Sequence, residues 1–142
     1  MATTSVDSEI IPAYLRSHAA LWKLELRLIT RRDPGWRDVV KLRSEVYKIP
    51  ISQAEDAVDG YSTAMLATLD GKAAGTHRAT LALDGELDCQ AYFPTRLLEQ
   101  HRLVAFSCSR FCVKQNVPPE ARVARVLAEA GWAWALRQGM LL

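Results

Sequence analysis

The sequence predicts one α/β (α+β) domain, in which helices flank a mixed, mainly antiparallel sheet. Two observations carry this prediction. Segments with apolar residues at every second position are interspersed with segments in which apolar residues recur every three to four positions. An Asp-Gly pair also joins two strand-like segments, which is a strong signal for an antiparallel hairpin. A chain of 142 residues suits a single domain with its own core.

The N-terminal third predicts the order helix, strand, helix. Residues 8–23 can form a helix with one apolar side. Residues 24–30, LELRLIT, alternate between leucine and charged side chains, which predicts a strand with one buried face. A second helix is expected up to Pro50, with Asp33 as its N-cap and Pro34 in its first turn.

One charged residue on this second helix lies close to the apolar side. Arg43 is three to four positions from apolar residues on both sides along the chain, so it borders the buried stripe. The alternative is a solvated position at the helix edge. The polar, acidic residues 51–60 then predict a loop or a short helix.

The remaining elements follow in order. The hairpin pairs residues 62–70 with residues 72–83, and a short helix is expected over residues 93–101. Another strand covers residues 103–113. The last helix begins near the Pro118–Pro119 pair, shows one apolar face, and ends close to Gly139. The final MLL resembles the start of a further strand, so we expect a fold truncated after its third core helix.

Composition limits the function classes. A net charge of +2 is too small to indicate a nucleic-acid partner, and no apolar stretch approaches the ~20 residues that span a bilayer. Three cysteines without metal-ligand spacing predict a reduced, cytoplasmic protein without a metal site. Exposed strand edges favour a homodimer.

The stretch AFSCSRFCV, residues 105–113, predicts a buried strand that contains an arginine. Strict alternation places four of its residues on one face: Phe106, Cys108, Arg110 and Cys112. The two cysteines are expected to be small buried side chains, and a nucleophilic Cys108 is the alternative.

Four segments in this order and spacing resemble one family. They are LRSEVY at 42–47, EDAVD at 55–59, GTHRAT at 75–80 and SCSRF at 107–111. Together they are similar to the acyl-homoserine-lactone (autoinducer) synthases and the N-acyl amino acid synthases, which are acyltransferases of the GNAT fold. The resemblance spans roughly residues 36–138, about the N-terminal two-thirds of such a fold.

The resemblance implies an N-acyltransferase that moves a fatty acyl group from acyl carrier protein, or from coenzyme A, to the amine of an amino acid or derivative. It implies a polar constellation whose members are Arg43, Asp56, Asp59, Arg78 and Arg110. Asp59, Ser107 and Arg110 take the catalytic positions. The aspartates hold the acceptor's ammonium group or order the loop over it, and the arginines fix those carboxylates or bind an acceptor carboxylate.

The same resemblance assigns the donor. The strand over residues 103–113 forms one side of the acyl-donor cleft, with wall residues Phe106, Cys108, Phe111 and Val113. Arg122 and Arg125 meet the phosphopantetheine phosphate or an acidic carrier protein, and the alternative for both is a solvated helix face.

The chain departs from the family pattern at two places. Ser107 stands where homoserine-lactone synthases carry a glutamate, their candidate general base. Residues 123–125 replace the glycines that cradle the donor pyrophosphate in most GNAT enzymes, and an acyl-carrier-protein donor relaxes that demand. Three alternatives stay open: a structural ion-pair cluster, a catalytically degenerate GNAT-like binding domain, and an acetyl-coenzyme A enzyme.

Overall fold

The computed structural model describes residues 22–140, and within this range it contains an antiparallel sheet of four strands and three α-helices. The strands, in spatial order, are β1 (Leu24–Ile29), β2 (Thr63–Leu69), β3 (Lys72–Leu81) and β4 (Phe106–Val113). The helices are α1 (Trp36–Tyr47), α2 (Thr95–His101) and α3 (Val123–Arg137). The predicted α+β class with a mainly antiparallel sheet is confirmed.

The two longer helices cover opposite faces of the sheet. Val39, Val40 and Leu42 of α1 pack with Ile29, Leu66 and Cys112 in one apolar core. Val123, Leu127 and Ala130 of α3 pack with Met65, Ala67 and Ala74 in another. A strand side chain on the α1 face is therefore separated by the sheet from one on the α3 face.

The predicted hairpin is present and has a two-residue turn. Leu69 pairs with Lys72, and Asp70 and Gly71 both adopt positive φ, at 50° and 81°. Positive φ at both central positions is the type I′ geometry that Asp-Gly favours, because its twist matches that of the flanking strands.

A β-bulge changes the predicted alternation of β4. Thr76 pairs with Cys112 and Arg78 with Ser109, so Arg110 and Phe111 together oppose the single residue His77. Arg110 has a φ of 52°, in the left-handed region. An extra residue in one strand shifts every later side chain to the other face. The prediction that Arg110 shares a face with Phe106 and Cys108 is therefore wrong.

Two smaller predictions, the Asp33 N-cap and a buried Cys108, also need correction. Helix α1 has Gly35 as its N-cap, because Asp33 instead accepts hydrogen bonds from the backbone and hydroxyl of Thr30. Cys108 is exposed, whereas Cys112 is buried as expected. Residues 51–60 hold 3₁₀ turns, which fits the expected loop or short helix.

Two predicted elements lie mainly outside the described residues. They are the helix over residues 8–23 and the strand that was expected to begin at residues 140–142. Helix α3 ends as expected, since Gly139 follows it with a φ of 78°. None of the helices found between residues 22 and 140 is long and apolar enough to cross a bilayer.

Candidate functional site

The five polar residues singled out by the sequence meet in one network on the α1 face of the sheet. Arg43 comes from α1, Arg78 from β3 and Arg110 from the β4 bulge. Asp56 and Asp59 come from the turn before β2. They lie far apart in sequence, yet hydrogen bonds of 2.6–3.0 Å connect all five.

The two aspartates first serve to fold their own turn. Asp56 is the N-cap of the 3₁₀ helix Ala57–Tyr61, and its Oδ1 accepts hydrogen bonds from the backbone N–H groups of Val58 and Asp59. Asp59 Oδ2 accepts a hydrogen bond from the backbone N–H of Asp56 at 3.0 Å. This reciprocal capping box satisfies the free donors at the helix start and fixes both carboxylates.

Asp59 lies at the buried centre of the network. Its side chain is fully buried, and both of its oxygens accept hydrogen bonds from Arg43 Nη1 at 3.0 Å. Its Oδ1 also accepts one from Arg78 Nη1 at 3.0 Å. A buried carboxylate is stable only when it is paired and hydrogen-bonded in this way.

Arg43 is completely buried, so the solvated alternative is wrong for this residue. Its guanidinium lies against the Trp36 ring, 5.3 Å from the ring centroid, which is within the range of a cation–π contact. Arg43 Nη1 also donates to the carbonyl of Ala54 at 3.3 Å. The Trp36 indole N–H in turn donates to Glu55, whose carboxylate pairs with Arg31.

Arg78 joins the network to two residues that the sequence did not single out. Its Nη2 donates to both oxygens of Asp88, at 2.7 and 2.5 Å, and its Nε donates to Ser109 Oγ at 3.2 Å. Asp88 lies in a polar loop without a distinguishing pattern. Ser109 would follow only from the pairing of β3 with β4, which sequence spacing does not give.

Arg110 stands at the more exposed end of the network. Its Nη2 donates to Asp56 Oδ2 at 2.6 Å, and both side chains are 30% exposed. Its left-handed backbone turns the side chain to the α1 face, where Asp56 lies. Beside it, Tyr47 Oη donates to the carbonyl of Phe111 at 3.0 Å and ties the bulge to α1.

The arginines lower the pKa values of the two partly exposed carboxylates, Asp56 and Asp88. Burial acts to raise the pKa of Asp56, but hydrogen bonds from Arg78 and Arg110 outweigh it and bring the pKa to about 2. Burial also acts against ionisation of Asp88, yet hydrogen bonds from Ser109 and Arg78 lower its pKa below the ordinary value. Both carboxylates are therefore ionised at neutral pH and are poor proton acceptors.

Several other predicted site residues lie away from the network. The donor-wall residues share the α3 face. Phe106 packs edge-on against Trp132 at 5.3 Å, Phe111 stacks on His77 at 5.7 Å, and Val113 packs against the α3 core. A side chain at Gly131 would come within 3.4 Å of Cys108 Sγ, which places Cys108 beside α3 as well.

Ser107, Arg122 and Arg125 are not among the residues that the hydrogen bonds of the network join within residues 22–140. Ser107 Oγ is buried and has no hydrogen-bond partner among residues 22–140. Arg122 is exposed at the start of α3, and Arg125 pairs with Glu129 at 2.8 Å along the exposed side of that helix. This position fits the solvated-face alternative for Arg125.

Burial shifts the pKa values of two cysteines and of the buried His77 so that each group favours its uncharged form. Desolvation raises the pKa of the Cys108 thiol, and burial raises that of Cys112 to about 11. Burial lowers the pKa of His77, whose Nε2 lies 3.0 Å from the carbonyl of Leu127. A raised thiol pKa disfavours the thiolate, which counts against the alternative of a nucleophilic Cys108.

In the part of the chain that the structure describes, no group of three or more His, Cys, Asp or Glu side chains is arranged so that it could hold a metal ion. Comparison of the chain with models of known families, with curated proteins and with solved structures finds no match.

Proposed function

We propose that the protein is an N-acyltransferase that transfers a fatty acyl group from acyl carrier protein to the amine of an amino acid or a related molecule. The observation that carries the proposal is the bulge in β4, which lies directly beside the ion-pair network. Arg110 belongs to both features, since its backbone forms the bulge and its side chain pairs with Asp56.

The bulge supports the proposal through its backbone donors. A bulged residue is left without its partner in the strand ladder, so an N–H group becomes free to bind another acceptor. In amide formation from a thioester, the carbonyl oxygen gains negative charge as the amine attacks, and a fixed N–H donor stabilises that charge. We assign this role to the backbone at Arg110–Phe111.

The surface around β4 suits an acyl chain. Its outer edge pairs with no other strand within residues 22–140, where it is the last strand of the sheet. On the α3 side of this edge, Phe111, Trp132 and Leu136 are 41–55% exposed. We place the fatty chain against this apolar surface, since burial of apolar area is its main source of binding energy.

The acceptor amine belongs on the opposite, polar side. The carboxylate of Asp56 is ionised and partly exposed, so it can hold the acceptor's ammonium group. With a pKa of about 2, it cannot take the proton that the amine must lose, and Ser107 is no better a base. We therefore assign that proton to solvent water.

The reaction then needs no covalent acyl-enzyme. The amine nitrogen attacks the thioester carbon and forms the C–N bond. The C–S bond breaks, and the thiolate leaves with the electron pair and takes up a proton. The protein holds both substrates in line and stabilises the developing oxyanion.

The start of α3 favours acyl carrier protein over coenzyme A as the donor. Val123 at the first position of α3 is buried, and the preceding Arg122 is exposed. By the resemblance to GNAT enzymes, residues 123–125 correspond to the glycines of a pyrophosphate cradle. A carrier protein presents phosphopantetheine without adenosine pyrophosphate, so it needs no such cradle, and its acidic surface can meet Arg122. An acyl-carrier-protein donor and cysteines that are free thiols both fit a protein of the reducing cytoplasm.

The assay is direct. The protein is incubated with acyl carrier protein thioesters, acyl-coenzyme A and acetyl-coenzyme A in separate reactions, each with a panel of amino acids. We expect N-acyl amino acids from the carrier-protein thioesters. Product from acetyl-coenzyme A alone would instead support an acetyltransferase, and the absence of product from every donor would contradict the enzyme proposal.

One observation favours a second candidate, a binding domain of the same fold without catalysis. Every carboxylate of the network is engaged by arginine, and the lowered pKa values of Asp56 and Asp88 make these two carboxylates poor proton acceptors. Tight binding of acyl carrier protein without turnover would support this candidate. The expected homodimer is a separate prediction, which light scattering tests.

A further inference from the structure

The guanidinium of Arg78 has no unused hydrogen-bond donor. Its Nη1 donates to Asp56 and Asp59, its Nη2 to the two oxygens of Asp88, and its Nε to Ser109. These five bonds account for all five N–H groups of an arginine side chain. Any ligand that binds Arg78 must therefore replace one of these partners.

Asp88 is the partner that can leave with the least disruption. Asp56 and Asp59 also accept backbone N–H groups and hold their turn together. Within residues 22–140, the Asp88 carboxylate is held by side chains alone, those of Arg78 and Ser109. It is also 31% exposed, whereas Asp59 is fully buried.

The loop that carries Asp88, residues 82–94, keeps its place through other contacts. Leu87 is buried in an apolar cluster with Ala82 and Ala105. Tyr61 Oη donates to the carbonyl of Glu86 at 2.9 Å, and the Tyr61 ring packs against Gly85. The Asp88 side chain can therefore turn into solvent without unfolding the loop.

Charge limits what can take its place. Three arginines and three aspartates make the network neutral, counting Arg43, Asp56, Asp59, Arg78, Asp88 and Arg110. An uncharged ligand in place of Asp88 would leave the network with one positive charge in excess at a buried guanidinium, which is costly. A carboxylate preserves both the charge and the paired N–H···O geometry.

We propose that the Nη2 side of Arg78 is a carboxylate-binding site that Asp88 fills at rest and yields to the carboxylate of an amino acid. The inference rests on the proposed function, because it identifies the acceptor as a free amino acid and gives its carboxylate a place beside Asp56. Asp88 thus keeps the buried guanidinium paired while the site is empty.

The first experiment uses Asp88→Ala with sodium acetate as the probe. We expect a thermal midpoint several degrees below that of the wild type, recovered in a saturable way by acetate at pH 7 but not by chloride at equal ionic strength. Asp84→Ala, in the same loop and without a side-chain hydrogen bond in the described structure, is the control for general salt effects. Equal responses of the two variants to acetate would overturn the site. Asp88→Ser repeats the test if Asp88→Ala does not fold.

The second experiment tests the exchange in the wild type. Isothermal titration is run with free amino acids and with the corresponding amino acid amides, which lack the carboxylate. We expect at least one amino acid to bind while its amide does not. If Asp88 fills the site nine-tenths of the time, Asp88→Ala binds that amino acid about tenfold more tightly. Equal binding by acid and amide, no binding by any amino acid, or no gain in Asp88→Ala would overturn the exchange. Acyl transfer is not measured, so the two proposals fail independently.

Discussion

Replacement of Asp59 by asparagine tests whether the buried network depends on charge. The exchange keeps the shape of the side chain and converts one oxygen into an NH₂ group. Asp59 Oδ1 accepts from Arg43 and Arg78, and Oδ2 accepts from Arg43 and the backbone N–H of Asp56. Whichever oxygen is replaced, the new NH₂ group faces N–H donors and leaves them unpaired.

The magnitude follows from breaking a buried ion pair. Removing one member of such a pair costs about 3–5 kcal/mol, because the remaining charge stays buried without compensation. For a chain of this size the thermal midpoint should fall by roughly 10–15 °C. Such a loss is a large fraction of the stability of an ordinary domain, typically about 5–15 kcal/mol.

The assay is urea unfolding at pH 7, followed by tryptophan fluorescence and circular dichroism. Asp84→Asn is the matched control, since Asp84 is exposed and its side chain forms no hydrogen bond in the described part of the chain. It should change the free energy of unfolding by no more than about 0.5 kcal/mol. If Asp59→Asn lies within about 1 kcal/mol of this control at an unchanged slope, the network does not hold the fold as argued.

Three further predictions concern pH and backbone packing. The pKa of Asp56 falls from 3.8 to about 2 on folding, so the ionised carboxylate contributes roughly 2 kcal/mol of stability above pH 4, and this contribution is lost as the pH falls to 2. Urea titrations at pH 5, 3 and 2 should therefore show a smaller loss of stability for Asp56→Asn than for the wild type. An equal loss in both proteins would contradict this prediction. Gly131→Ala should lower the free energy of unfolding by about 1–3 kcal/mol, because the new Cβ would lie 2.8 Å from His77 Cε1. The loss should be smaller in a His77→Ala background, and strictly additive losses in the double variant would refute the contact. Gly71→Ala should lower the free energy of unfolding by about 1 kcal/mol through backbone strain at its φ of 81°, since no atom outside the turn lies within 4 Å of the new Cβ. An unchanged midpoint in thermal unfolding would contradict the assigned turn geometry.

The general fold followed from the sequence because local signals agree with it. Alternation in β1, the Asp-Gly turn and the apolar stripe of α3 each predict the element that is present. The membership of Arg43, Asp56, Asp59 and Arg78 in one network was expected from the family resemblance that the order and spacing of four segments carry. Each alone would have suggested only a helix edge, a cap or a hairpin pair.

The rest depends on contacts that a single sequence does not encode locally. The bulge at Arg110 arises from the pairing of β4 with β3, and nothing in SCSRF distinguishes it from a regular strand. Asp88 reaches Arg78 because the loop after β3 turns back over the strand, which is a tertiary effect. Strict alternation therefore placed Arg110 on the wrong face, although its membership in the network was predicted correctly.

The most direct test of the account compares wild type with Arg110→Lys in the acyl-transfer assay. Lysine keeps the positive charge near Asp56 but loses the planar set of donors that fixes the carboxylate and the bulge. We predict product from the wild type, and a kcat/KM lower by about tenfold or more in the variant at a thermal midpoint within a few degrees. Equal kcat/KM values, or no product from the wild type with any donor, would contradict the claim that this network positions an acyl-transfer site.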